Sequence, residues 1–307
     1  MKSTIIIIIT YNGLKWIDKC LSSCNGYSVI VIDNASTDGT VEHIKAHYPG
    51  VTLIAQNTNL GFGQANNIGI SHALKQGAAY VFLLNQDAYL QQGAIETLIE
   101  VHKKNKDYGI LSPIHLNGNG TKLDRNFSYY LGHDYNSYFY LDAIKGTLSE
   151  LYEVPFVNAA AWLVPKETLM VVGGFDPLFY HYGEDDNYCQ RVRYHGMKIG
   201  VVPQTYVNHD RETRQEQKID VFSKAYYDKK MRQFLATHGN INAFNAEVMD
   251  RVLSLYRKRI LKAGLKLNFR HFNGFRKEYQ LLRGKKSALL KSVALNKKEG
   301  SNYLNLD

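Results

Sequence analysis

The apolar run Ala79-Tyr80-Val81-Phe82-Leu83-Leu84 ends in Asn85-Gln86-Asp87. In an open α/β sheet the carboxyl ends of the strands face the ligand crevice, so Asp87 is expected where a hard cation and a phosphate can meet. Asp33 ends a second run, Val29-Ile30-Val31-Ile32, where a carboxylate can accept an N–H from a base or a ribose hydroxyl. Ser36 and Asp38 have a plainer task behind it, capping the helix that starts at Thr40. Glu184-Asp185-Asp186 open a later helix, a place that the macrodipole favours for acids. Crowded like charges raise at least one carboxyl pKa toward the range of a general base, whereas the dipole pulls the other way. Arg191, seven residues after Glu184, reads as a structural partner of that helix. His209 follows Tyr206-Val207-Asn208 at another strand end, either as a satisfied polar group or as a further metal or phosphate contact beside Asp87.

The elements that must position these groups alternate. Thr4–Thr10 reads as a buried strand and Leu14–Cys24 as a helix. Strand Val29–Ile32 and helix Thr40–His47 follow, then strand Val51–Ala55 and helix Gly63–Lys75, then strand Tyr80–Leu84 and helix Ala94–Lys104. That alternation predicts an α/β fold with a mostly parallel central sheet flanked by helices. Between the third strand and its helix lies Asn59-Leu60-Gly61-Phe62-Gly63. There Gly61 and Gly63 permit close backbone approach, and a helix N-terminus offers free N–H groups to a phosphate. The stretch fails as a dinucleotide fingerprint, because it reads Gly-x-Gly-x-x-Asn and follows the third strand rather than the first. From Leu116 to Glu153 the pattern loosens into a loop-rich insertion or lid. Order returns with Pro155–Val164, a short helix from Lys166, a helix from near Asp185 to His195, and two short strands, Ile199–Val202 and Thr205–Asn208. Beyond Gln217 the sequence reads as wholly helical. Residues 1–240 are expected as one domain and 241–307 as a basic helical extension.

Composition narrows the class. The chain has 307 residues with 45% hydrophobic and 12% aromatic content, enough for a large packed core. Its charge of +9 is uneven: fifteen Lys or Arg against Glu278 give +14 between Arg251 and Lys298, leaving −5 for the rest. Such a stretch is either a solvated helical face over a packed apolar stripe or a basic amphipathic surface facing anionic membrane lipid. Nucleic acid is not expected as a partner, since no recognised motif accompanies the charge. Cys20, Cys24 and Cys189 lack metal-like spacing and fit buried free thiols in a reducing compartment. Met1-Lys2-Ser3-Thr4 leads into five isoleucines, too short for a secretory leader or a membrane span. The expected location is cytoplasmic, peripheral at the inner face of the plasma membrane.

The ordered set Thr10-Tyr11-Asn12, Asp33 with Ser36 and Asp38, Asn59-x-Gly61-Phe62, Asn85-x-Asp87, Gly174-Phe175-Asp176 and Glu184-Asp185 resembles the inverting family-2 glycosyltransferases with the GT-A fold, in particular their rhamnosyltransferase-like branch. The resemblance covers roughly residues 3–215. It implies that Thr10, Tyr11 and Asp33 hold the nucleotide of an activated sugar, with Asn12, Asn59, Gly61 and Gln86 completing the donor site. It implies further that Asp87 binds a divalent cation, Mn2+ or Mg2+, that Asp185 is the general base, and that His209 is a late metal or diphosphate contact. Two positions depart from the family's usual acids: Asn85 opens the metal motif, leaving one fewer charge for the cation, and Asn187 closes the acidic helix start. Asp186 stays open as a rival to Asp185.

The implied reaction takes a UDP- or dTDP-sugar donor and a glycan or lipid-linked acceptor hydroxyl, by single displacement with inversion, in bacterial surface polysaccharide synthesis. Asn85 and Asn187 favour a rival, a nucleotide-sugar-binding module without turnover, which would release no nucleoside diphosphate. A nucleotidyltransferase on a similar sheet would release pyrophosphate, and Thr10-Tyr11-Asn12-Gly13-Leu14-Lys15 is a poor version of the Gly-rich basic loop it needs.

Overall fold

The structure is a computed structural model that describes residues 3–180, 183–211 and 219–307. The chain runs β1 (Thr4–Thr10), α1 (Ile17–Ser23), β2 (Ser28–Asp33), α2 (Thr40–His47), β3 (Thr52–Ala55), α3 (Gly61–Lys75), β4 (Tyr80–Asn85) and β5 (Ala88–Leu90). It continues through α4 (Ala94–Lys104), β6 (Tyr108–Asn117), α5 (Arg125–Tyr130), α6 (Phe139–Lys145), β7 (Tyr152–Glu153), β8 (Ala161–Pro165), α7 (Lys166–Val172), α8 (Glu184–Tyr194) and β9 (Lys198–His209). Three helices end it: α9 (Lys224–His238), α10 (Ala246–Leu265) and α11 (Phe269–Asn296). Gln217, where the helical tail was expected to begin, lies outside the described residues.

Among the described residues the strands form one sheet in the order β3-β2-β1-β4-β8-β6-β9-β5, with β7 on β9. The isoleucine run explains why β1 lies inside it. A strand without a polar face must be covered on both sides, and the pleat sends alternate residues to opposite layers. Ile5, Ile7 and Ile9 join the layer under α3, whereas Ile6 and Ile8 join the layer under α1 and α4. Each such side chain contributes about 1.5–3 kcal/mol by leaving water. The three cysteines are buried and unpaired within these layers.

The half β3-β2-β1-β4 is parallel, as strand–helix alternation requires. Beyond β4 the direction changes: β8 runs antiparallel to both β4 and β6, and β6 pairs parallel with β9. β6 is the strand that periodicity does not announce, because Pro113 interrupts it. A proline lacks the N–H that a central strand must donate, so it is tolerated at an irregularity. The β6–β9 register indeed jumps from Pro113↔Val202 to Ile114↔Tyr206. Opposite that jump, Pro203 and Gln204 lie within β9, so the two short strands expected at Ile199–Val202 and Thr205–Asn208 are one irregular strand.

The Leu116–Glu153 stretch carries α5, α6 and β7 rather than open loop. Phe127, Leu131, Phe139 and Tyr152 are buried in the same layer as Ile7. The tail helices form a layer of their own, in which Phe234 and Leu235 of α9, Met249 and Leu253 of α10 and Leu282 of α11 pack around Phe179. That layer thus includes α9, which precedes residue 240. Its far end returns to the body, where the buried Asp176 carboxylate accepts from Ser292 Oγ (2.5 Å) and Asn296 Nδ2 (2.8 Å). No helix among the described residues is long and apolar enough to cross a membrane.

Candidate active site

Register brings the separated motifs to one edge. β1 aligns Thr10 with Asp33 of β2 and Ile9 with Asn85 of β4, so these three strands end level. β5 then turns back against β9, pairing Ala88 with His209, and the Asp210 N–H donates to the Asp87 carbonyl (2.8 Å). Two strand ends far apart in sequence are thereby clamped side by side. A cavity of about 420 Å³ opens at this edge. Tyr11, Asn59, Gln86, Asp87, Asp185 and His209, all singled out from the sequence, line it. A larger hollow of about 600 Å³ beside Ser23, Tyr27 and Glu96 gathers no comparable set, and its one carboxylate, Glu96, accepts from the Tyr27 hydroxyl (2.5 Å).

Asp87 and His209 are both buried, with His209 Nε2 standing 3.4 Å from Asp87 Oδ1. Neither ring nitrogen of His209 meets a hydrogen-bond partner among the described residues. Buried polar atoms are ordinarily paired, so the ring has hydrogen-bonding capacity to spare at the cavity wall. Among the described residues no cluster of three or more His, Cys, Asp or Glu forms a self-sufficient metal cage. The pair instead sets a carboxylate oxygen and a ring nitrogen side by side at the cavity wall. It fits a hard cation that takes its remaining oxygens from a diphosphate and water, which is how Mg2+-type sites are usually filled.

Across the cavity, α8 starts after Gly183 and brings in the acids. Glu184 and Asp185 line the cavity and Asp186 does not, so Asp185 is the better placed of the two rivals. Burial pushes the Asp185 carboxyl up to about 6, helped by the neighbouring Asp186 charge and opposed by backbone N–H groups including that of Ala159. The upward direction thus comes first from burial, which the sequence does not reveal, and only second from the crowding of acids. Arg191, buried on the same helix, donates to the Gly174 carbonyl (2.6 Å) and stacks on Tyr188 and Tyr303, a structural role.

Several expected donor residues stand behind the wall. Thr10 Oγ1 donates to Gln86 Oε1 (2.8 Å), which also accepts the Tyr11 N–H (2.9 Å), so Gln86 holds the first loop while one side of it faces the cavity. Asn12, at φ +49°, accepts the Thr37 N–H at its side-chain oxygen (2.8 Å) and ties the loops after β1 and β2 together. Asp33 is buried and accepts from the Ser36 N–H (2.9 Å) and hydroxyl (2.5 Å), and it does not line the cavity. The N-cap of α2 is Gly39, with no side-chain cap; Asp38 before it accepts the Thr40 N–H (3.1 Å), and Ser36 accepts the Asn12 N–H (2.9 Å) instead of capping the helix.

The glycines answer to protein neighbours. Gly63 packs on Phe175, where an added Cβ would lie 2.9 Å from that side chain. Gly61 holds φ +78°, and a Cβ there would come within 2.3 Å of the Tyr180 carbonyl oxygen. We expect Gly61→Ala to cost about 2 kcal/mol or more in chemical denaturation, from left-handed strain plus overpacking. Unchanged stability would show that the loop relaxes freely.

Sequence reasoning missed Asn34, Asn126, Tyr130, Asn158 and Arg211, which also line the cavity. Arg211 lies two residues past His209, so the strand-end rule that found the histidine extends to it. Its guanidinium grips Asp124 in a bidentate pair (Nε to Oδ2, 2.8 Å). Burial alone would raise the Asp124 carboxyl, but Arg211 and the Phe127 N–H outweigh it and hold it below the usual carboxylate range. Asp124 in turn caps α5, so the insertion and the β9 end are locked together. Trp162, in contrast, is buried against Phe175 and forms no part of the cavity.

Residues 5–170 match the model for glycosyl transferase family 2. The chain belongs to that family. The glycosyltransferase is 26% identical over 252 residues to the low-salt glycan biosynthesis hexosyltransferase Agl10 of Haloferax volcanii, covering 80% of this chain and 78% of that protein. It is 28% identical over 217 residues to the dTDP-rhamnosyl transferase RfbF of Shigella flexneri, covering 66% and 67%. It is 26% identical over 273 residues to the rhamnosyltransferase WbbL of Escherichia coli K12, covering 82% and 98%. Among solved structures it resembles GalNAc-T7 with UDP, GalNAc and Mn2+, at a TM-score of 0.59 and 16% identity over 77% of this chain. The transferase spans about half of that chain, 48%, and the likeness concerns the fold, which is of the GT-A type.

Proposed function

We propose that this glycosyltransferase moves a hexosyl or rhamnosyl unit from a UDP- or dTDP-linked donor to a hydroxyl of a glycan or lipid-linked acceptor, by single displacement with inversion. The reaction belongs to surface glycan synthesis in the cytoplasm, at the inner face of the plasma membrane. The observation that carries this reading is a carboxylate with a raised pKa, Asp185, lining the same cavity as the buried Asp87–His209 pair. The names of the relatives, hexosyl- and rhamnosyltransferases of glycan synthesis, favour the sugar class.

Each group then has a task. The Asp185 carboxylate takes the proton from the acceptor hydroxyl as its oxygen attacks the anomeric carbon from the face opposite the leaving group. The bond from that carbon to the donor phosphate oxygen breaks, and its electron pair goes to the departing nucleoside diphosphate. Asp87 and His209 would hold a divalent cation, which supplies charge neutralisation for the leaving diphosphate. Arg211, fixed by Asp124, adds a positive charge to the same wall. Gln86 keeps the loop after β1 in place against the donor.

The test is transfer activity across UDP- and dTDP-sugars with Mn2+, followed as nucleoside diphosphate release, and its pH profile. A base must be ionised to accept a proton, and burial holds Asp185 up to about 6. The rate is therefore expected to climb as pH rises through that value and to level off above it. A profile flat down to about pH 4.5 would remove Asp185 from the role. Release of pyrophosphate, or of no nucleotide with any donor, would overturn the reading as a whole.

A further inference from the structure

The hairpin joining α10 to α11 ends in an apolar tip that the fold does not cover. Leu261, Leu265, Leu267 and Phe269 are 64%, 79%, 74% and 71% exposed. Their neighbours Leu253 and Tyr256 on α10 and Leu282 on α11 are buried in the helical layer. The apolar residues interleaved with the tail's charges thus divide into a set that packs and a set that projects, so a solvated face over a packed stripe accounts for only the first.

The charge around the projecting set has one sign. Six Lys or Arg and no acid occur from Arg257 to Arg270, and all six are exposed. Among the described residues none of the six joins an ion pair. Glu278, the single acid between Arg251 and Lys298, is buried and accepts from the hydroxyls of Tyr226 (3.2 Å) and Tyr256 (2.6 Å). Nothing acidic on this stretch therefore offsets the outward positive charge.

Leu267 supplies a second, independent observation. It follows Lys266, the C-cap of α10, at φ +53°, with its N–H donating to the Gly264 carbonyl (2.9 Å) and the Asn268 N–H to the Ala263 carbonyl (3.0 Å). This pair of hydrogen bonds closes a helix end at which the left-handed residue is usually glycine. A leucine there is strained by its Cβ, and with three quarters of its surface in water it adds little to the core. Neither the turn nor the packing accounts for a bulky apolar side chain at that point, whereas an apolar phase outside the protein does.

We propose that this tip inserts into the surface of an anionic bilayer, with Leu265, Leu267 and Phe269 entering the boundary between headgroups and acyl chains and the surrounding cations meeting lipid phosphates. Apolar insertion and attraction to anionic lipid act together in interfacial helices of this kind. A second copy of the chain is the poorer occupant, because it would bring the same positive charge to the contact. The inference deepens the membrane location given in the proposed function and rests on none of its chemistry, since it concerns a surface remote in sequence from the strand-end site.

The test is flotation of the full chain with phosphatidylcholine vesicles containing about a third phosphatidylglycerol, against phosphatidylcholine alone. The parent protein is expected to float with the anionic vesicles and to be released by salt. Leu265→Ser/Leu267→Ser/Phe269→Ser is expected to lower the bound fraction by about tenfold or more with an unchanged thermal midpoint. Leu267→Gly should weaken binding severalfold while leaving the midpoint equal or higher, because it relieves the backbone strain. These opposite signs separate a membrane role from a folding role. Equal flotation of parent and triple variant overturns the proposal, as does a parent that ignores anionic vesicles. A dimer that the tip substitutions dissolve, without flotation, overturns it in favour of self-association.

Discussion

Asp185→Asn is expected to lower the transfer rate by about 10²–10⁴-fold, the usual worth of a positioned general base. Asparagine keeps the shape of the side chain and its place on the cavity wall, but it cannot take a proton from the acceptor. The substitution should not unfold the protein. A carboxyl whose folded pKa is raised to about 6 favours its neutral form in the folded state. Its contribution to stability is full below the unfolded value near 3.8 and is lost as pH rises through about 6. At neutral pH the ionised Asp185 is therefore a cost, and a neutral amide at the site should melt at the same temperature or higher. The combination of a lower rate, an unchanged or higher melting point and loss of the rising pH limb identifies a base. A variant that transfers at close to the parent rate while folded would exclude Asp185. Glu184→Gln is the companion experiment, because Glu184 lines the same cavity.

The second large effect is expected at Asp87. Asp87→Asn removes the one carboxylate of the Asn85-Gln86-Asp87 triplet, and with it the charge that would hold a cation against the leaving diphosphate. Removing one electrostatic contact to developing charge typically costs about 10²–10³-fold in rate. A readout apart from turnover is available, since a ligand that binds only the native state raises its apparent stability. The parent protein should show a nucleotide-sugar-dependent rise in melting temperature that Mn2+ enlarges, and Asp87→Asn should lose the Mn2+-dependent part. His209→Gln should lose part of the same increment, because Nε2 stands beside the carboxylate. An undiminished Mn2+ effect in Asp87→Asn would dismiss the cation role of the triplet. Full activity in that variant would dismiss any role at all.

Much of the frame was legible because it depends on local pattern. A strand with five successive isoleucines, such as Thr4–Thr10, has no polar face to show to water, and its limits in the structure match those read from periodicity. Helices Thr40–His47 and Ala94–Lys104 also match, and each starts directly after a left-handed glycine, Gly39 and Gly93. β6 was not legible, because a proline inside a central strand is tolerated only through a register jump that its neighbour must share. The order inside Leu116–Glu153 was equally hidden. Phe127 and Phe139 are spaced for short helices, and only their burial against the sheet reveals them as core.

The site divides along the same line. By itself the sequence determined which strand ends carry chemical groups, because an apolar run that stops at Asp33, Asp87 or His209 must stop at the edge of the sheet. It determined equally that acids open α8, and that the net positive charge is concentrated between Arg251 and Lys298. Tertiary structure alone decided which of those groups meet. The β5–β9 pairing sets Asp87 against His209, and the seating of α8 turns Asp185 rather than Asp186 toward the cavity. It also turned Asp33 inward onto Ser36 and spent Gly61 on the Tyr180 backbone. The physical reason is that strand ends are fixed by local hydrophobic pattern, whereas side-chain partners depend on register and helix seating, which are set by contacts between segments far apart in the chain.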